Sequence, residues 1–128
     1  MSALKLLHNP RCSKSREALA LLREHGIEPE IIEYLKTPLD GATLQALCTA
    51  LQREPADLIR FKEDSAKQLG LQPGDTRPRE EWLQHLAQHP VLLERPIAWQ
   101  GNSAVIGRPT EALASWLVRL NNRSLGAN

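Results

Sequence analysis

One nine-residue segment, His8-Asn9-Pro10-Arg11-Cys12-Ser13-Lys14-Ser15-Arg16, constrains this chain more than any other, because it joins two stretches of opposite character around a cysteine. Before it, Leu4-Lys5-Leu6-Leu7 is short and apolar and is closed off by Pro10, which suits a buried strand. After it, Ser15 to Glu24 is a run of strong helix formers with Ala18, Leu19 and Leu22 on one stripe. Cys12 therefore sits at a strand-to-helix turn. The first amides of a helix have no partners within it, and the macrodipole adds about half a positive charge there. Both effects favour a thiolate and make a cradle for an oxyanion. Arg11, Lys14 and Arg16 add positive charge within one turn, and the Ser15 hydroxyl is placed to donate to the sulfur. Residue 15 is Ser where dithiol oxidoreductases carry a second Cys, so no disulfide can close across this turn. The competing reading of Cys12 is an inert half-buried thiol, a common fate of free cysteine. His8, at the strand end, is either a partner that tunes the thiol or a packed ring.

The rest of the chain builds a sheet around this turn. The first helix stops at His25-Gly26, with Gly26 in the left-handed position and Ile27 as its apolar contact. Glu30 to Leu35 reads as a second strand, parallel to the first through a right-handed crossover, which puts Cys12 at the strand end where open α/β sheets bind ligands. Residues 37–90 read as mostly helical. Asp40 caps a helix with Leu44, Leu47, Cys48 and Leu51 on one stripe, Pro55 opens a short helix to Phe61, and residues 64–69 form one further turn. A breaker-rich loop, Gln72 to Pro78, then leads to a helix from Glu80 to Gln88 with Trp82, Leu83 and Leu86 inward. Cys48 reads as a core thiol, or as a resolving partner for Cys12. His85 and His89 read as a helix-surface pair; no further ligand follows to complete a zinc set, and no metal site is expected.

Strands return with Ile97-Ala98-Trp99, a hairpin turn over Gln100 to Ser103, and Ala104 to Gly107 running back antiparallel. Arg108-Pro109 opens a last helix with Leu113, Trp116, Leu117 and Leu120 on one face, followed by a frayed tail after residue 121. The expectation is one α/β domain over residues 1–128 with a thioredoxin-like fold. It has a small mixed four-stranded sheet and a helical insertion between its βαβ and ββα halves. In that plan the peptide before the Pro that precedes the third strand is cis, here Arg95-Pro96.

The 16 basic and 15 acidic residues nearly cancel, so the totals advertise neither a nucleic-acid groove nor an anionic membrane. Two cysteines, with no signal-like or membrane-length apolar run, lead to an expectation of the reducing cytoplasm, where a thiol can serve as a nucleophile.

Six ordered blocks carry a family resemblance: residues 8–16, Tyr34-Leu35-Lys36-Thr37-Pro38, Leu58 to Glu63, Gln88-His89-Pro90, Glu94 to Ile97, and Ile106-Gly107-Arg108-Pro109. Together they resemble the ArsC-like arsenate reductases, and within them the YfgD-like branch. The resemblance implies Cys12 as nucleophile, Arg60, Arg95 and Arg108 as oxyanion-binding residues, and His8 and Ser15 as residues that tune the thiolate. It further implies that Cys12 forms a thiol-arsenate adduct, that glutathione attacks it to release arsenite, and that glutaredoxin restores the thiol. No cofactor is bound in that scheme, glutathione is a co-substrate, and a monomer is expected. Better-defined arsenate reductases carry Gly-Thr where this chain has Ser13-Lys14. Two other readings follow: a monothiol oxidoreductase acting on another oxyanion or a glutathione adduct, and an Spx-like regulator, whose usual Cys-x-x-Cys is absent here. Independently of any resemblance, arginine suits the task. A dianion repels an anionic nucleophile, and a planar guanidinium that never loses its charge grips two oxygens at once.

Overall fold

The computed structural model describes residues 3–126, and side chains over residues 3–122. In chain order the elements are β1 (Lys5–Leu7), α1 (Ser13–Glu24), β2 (Glu30–Ile32), α2 (Gly41–Leu51), α3 (Asp64–Gln68), α4 (Arg79–Gln88), β3 (Ile97–Gln100), β4 (Ser103–Ile106) and α5 (Thr110–Gly126). Short 3-10 turns lie at Pro55–Leu58 and Pro90–Leu92. The chain divides into two compact units, 1–32 with 95–128, and 33–94. The second is wider at both ends than the helical stretch 37–90 anticipated above.

The first unit holds the sheet, ordered β2-β1-β3-β4. β1 and β2 are parallel, and β3 is antiparallel to both of its neighbours, β1 and β4, so the sheet is mixed. Register aligns Ile31, Leu6, Ala98 and Val105 in one row across it. Because side chains alternate along a strand, that row shares a face, and Leu6, Ala98 and Val105 pack with Ala18 and Leu22 of α1 and Leu113, Trp116 and Leu117 of α5. Leu6, Leu22 and Leu113 are fully buried, each contributing about 1.5–3 kcal/mol by leaving water. α1 ends on Gly26 at φ 74, where Ile27 N donates back to Leu22 O at 2.9 Å and Ile27 packs on the core. The hairpin is tighter than expected: Gln100 pairs with Ser103, leaving only Gly101-Asn102 as the turn. α5 continues past Asn121 to Gly126, where the sequence reading has a frayed tail; residues 127 and 128 lie outside the described residues.

In the second unit α2 begins where expected, with the Asp40 carboxylate accepting from Thr43 N at 2.8 Å. The helix expected to reach Phe61 stops at Leu58. There Ile59 leaves to form a bridge with Leu93, while Arg60 N donates to Leu92 O at 2.7 Å and Glu94 N to Leu58 O at 2.8 Å. Cross-chain pairing of a β-branched residue overrides the local helical pattern. His85 is no surface residue: its side chain is only 17% exposed, against a helix whose Trp82 and Leu86 are buried. Among the described residues no group of three or more His, Cys, Asp or Glu could hold a metal ion, and no helix is long and apolar enough to cross a membrane.

Gly107 lets β4 approach the start of β3. Its amide donates to Pro96 O at 2.8 Å, and a Cβ there would lie 3.2 Å from Pro96 Cγ and 3.8 Å from Leu113 Cβ. Gly107→Val should therefore overpack the site between the two arginine-bearing ends and lower stability by about 1–3 kcal/mol, read as a lower denaturant midpoint at unchanged m-value.

Candidate active site

Cys12 is the residue before the first turn of α1, with extended backbone (φ −92°, ψ 124°). The loop leading to it is shaped by Asn9, whose backbone oxygen accepts from Cys12 N at 2.9 Å and whose Oδ1 accepts from Arg11 N at 3.1 Å. Asparagine commonly closes turns in this way, which is the signal that could have singled Asn9 out beforehand.

The sulfur is partly exposed and its pKa is lowered. Partial burial pushes it up, but the Ser15 amide, the charge of Arg95, the Lys14 amide and the Arg108 guanidinium together outweigh that. Ser15 thus acts on the sulfur through its backbone. Its hydroxyl, expected to donate to Sγ, instead lies 2.8 Å from His8 Nδ1 and accepts from Asn9 N at 3.0 Å. His8 and Ser15 are both buried, so this pair joins the end of β1 to the first turn of α1 beneath the sulfur's own loop.

The guanidiniums come from far along the chain. Arg108 follows β4, and its Nη2 lies 3.6 Å from Cys12 Sγ while its Nε donates to Arg95 O at 2.7 Å. Arg95 precedes β3, and its Nε and Nη1 are buried without a hydrogen-bond partner among the described residues. Buried donors left unpaired are costly, and these two sit on a cation whose charge lowers the pKa of the Cys12 sulfur. The Arg95-Pro96 peptide is cis as expected, and so is Arg108-Pro109.

The local cations behave differently from the sequence expectation. Lys14 Nζ turns to Glu17 Oε2 at 3.4 Å, and Arg16 Nη1 donates to Pro10 O at 2.9 Å. Arg60 lies in the second unit, about one-quarter exposed, and its guanidinium pairs with Glu63 and, at 3.6 Å, with Glu94. Cys48 is buried on α2, where burial pushes its thiol up despite the nearby charge of Arg79. Ser13 occupies the first position of α1 without a positive φ, so its side chain causes no backbone strain there.

Comparison with known proteins adds a family. A sequence model of the ArsC family matches residues 7–116. The chain is 50% identical to the Escherichia coli K-12 protein YfgD over 110 residues, covering 84% of this chain and 91% of that one. It is 42% identical to an arsenate reductase of Neisseria meningitidis over 118 residues, 91% of this chain and 100% of the relative. Among solved structures, an arsenate reductase from Vibrio cholerae superposes with a TM-score of 0.83 at 38% identity, covering 89% of this chain and 97% of that one.

Alkylation should distinguish the two thiols. Cys12 should react with iodoacetamide at neutral pH with a half-rise below the free-thiol value of about 8.5, while buried Cys48 stays unreactive. Arg108→Gln removes a donor and a positive charge, so the half-rise should move to higher pH and the neutral-pH rate should fall.

Proposed function

The chain belongs to the ArsC family, and from that premise we propose that it is an oxidoreductase that reduces arsenate to arsenite through a covalent adduct on Cys12. The observation that carries this reading is the pair of unpartnered, buried Arg95 donors beside a thiolate already contacted by Arg108. Relatives named arsenate reductase support it across most of the chain. Ser13, which stands where better-defined arsenate reductases carry Gly, starts α1 without a positive φ, and this is compatible with the reading.

The thiolate attacks arsenic, an S–As bond forms, and one arsenate oxygen leaves as water after taking up two protons. Arg95 and Arg108 neutralise the dianion and hold it in line, and the amides of Lys14 and Ser15 keep the sulfur anionic until it reacts. Arg60 is the third guanidinium of this scheme by family resemblance. His8 and Ser15 act through the loop, setting the direction of the Ser15 amide. Reduction needs two electrons, and with Ser at position 15 the second thiol comes from outside. Glutathione serves: its sulfur attacks Cys12 Sγ, the S–As bond breaks with its electron pair left on arsenic, and arsenite departs. Glutaredoxin then takes the glutathionyl group by thiol-disulfide exchange and frees Cys12. Such chemistry fits the cytoplasm, where thiols stay reduced.

Purified protein supplied with arsenate, glutathione and glutaredoxin should release arsenite. Cys12→Ser should abolish this, and Arg95→Gln should lower kcat/KM by about 10²-fold. Absence of arsenite above background from folded protein overturns the reading.

A further inference from the structure

Two exposed cations flank the Cys12 loop without acting on its sulfur. Arg16 lies one turn beyond Cys12 on α1, its amide donating to Cys12 O at 3.0 Å. Its side chain folds back toward the helix start, as long helical side chains do, and Nη1 is anchored on Pro10 O at 2.9 Å. The anchor ties the guanidinium of this exposed residue to the loop two residues before Cys12. Arg11 is exposed on the same loop, with its backbone held by Asn9 Oδ1. Among the described residues neither guanidinium has a carboxylate partner, whereas Lys14 is taken by Glu17.

We propose that Arg16, with Arg11 on the same loop, docks a carboxylate of the external thiol that discharges Cys12. This rests on the reading above that an external thiol is the reductant. In the adduct state Arg95 and Arg108 are engaged by the oxyanion, so an anionic thiol approaching the sulfur needs cations of its own. A guanidinium fork already tethered at one nitrogen loses little side-chain freedom on gripping a carboxylate, and it stays charged at every working pH. The class of reductant selected is a small thiol with free carboxylates; an uncharged thiol gains nothing from this rim.

The test needs no arsenate. Reduced protein is mixed at low salt with either oxidised glutathione, which is anionic, or hydroxyethyl disulfide, which is neutral. The Cys12 thiolate attacks one sulfur, the S–S bond breaks, and the other half leaves as a thiolate; the mass of the protein follows the reaction. The ratio of the two rate constants is the readout. Arg16→Gln should lower that ratio about threefold to fivefold, as expected for one exposed charge pair, and the double variant Arg11→Gln/Arg16→Gln roughly tenfold. Arg16→Lys should keep part of the preference, and Arg23→Gln, on the same helix but paired with Glu28, should leave the ratio at the wild-type value. A ratio unaffected by Arg16→Gln overturns the proposal even if arsenite is produced. A ratio that falls as stated while no arsenite forms leaves it standing and removes only the arsenate reading.

Discussion

A sulfur drawn partly out of water, yet with its pKa lowered, is the constraint on which the site depends. Burial alone would raise the Cys12 pKa and favour the neutral thiol. Two kinds of donor reverse that outcome: backbone amides of Lys14 and Ser15, which exist because a helix begins there, and the guanidiniums of Arg95 and Arg108. Those amides are kept by every substitution except proline, so the backbone supplies a contribution that most side-chain changes leave intact. The arginines supply the adjustable part, and they are also the groups that would meet an incoming anion.

Those arginines reach the sulfur because of how the sheet closes. β3 lies directly beside β1, so the chain entering β3 and the chain leaving β4 both end near the turn after β1. Arg108 Nε is held on the Arg95 carbonyl, which couples the two cations into one unit. Gly107 permits the approach, its missing side chain leaving room for Pro96. The packing of Leu6, Ala98 and Val105 against α1 and α5 keeps the register that makes this convergence possible. An apolar row on one face of four short strands thus determines where charge gathers at their ends.

A division of labour among cations follows. Positive charges next to Cys12 in the chain turn away from it: Lys14 to Glu17, Arg16 to the Pro10 carbonyl. Helical geometry explains this, because side chains at positions 14 and 16 project from the outside of the first turn while the sulfur lies at its open end. Charges distant in the chain act on the sulfur, and the nearby ones make their contacts elsewhere on the surface.

How much of this was legible beforehand follows the same physical line. Local patterns determined the strand-to-helix turn around Cys12, the Gly26 stop and the Asp40 cap, since each depends on a few adjacent residues and their backbone preferences, and the order of strands and helices pointed to the mixed sheet. Long-range pairing was invisible to those patterns, so the bridge at Ile59 that ends a helix early, the partial burial of His85 and the extent of α5 were read differently from the sequence. In the same way, the strand-to-helix setting of Cys12 pointed to a lowered thiol pKa, and the family resemblance pointed to arginines around it. Which atoms do so was decided only in three dimensions: the Ser15 amide rather than its hydroxyl, and Arg95 and Arg108 rather than Lys14 or Arg16. Sequence separation carries no information about distance once strands pair, and electrostatic interaction is set by distance and by the local dielectric.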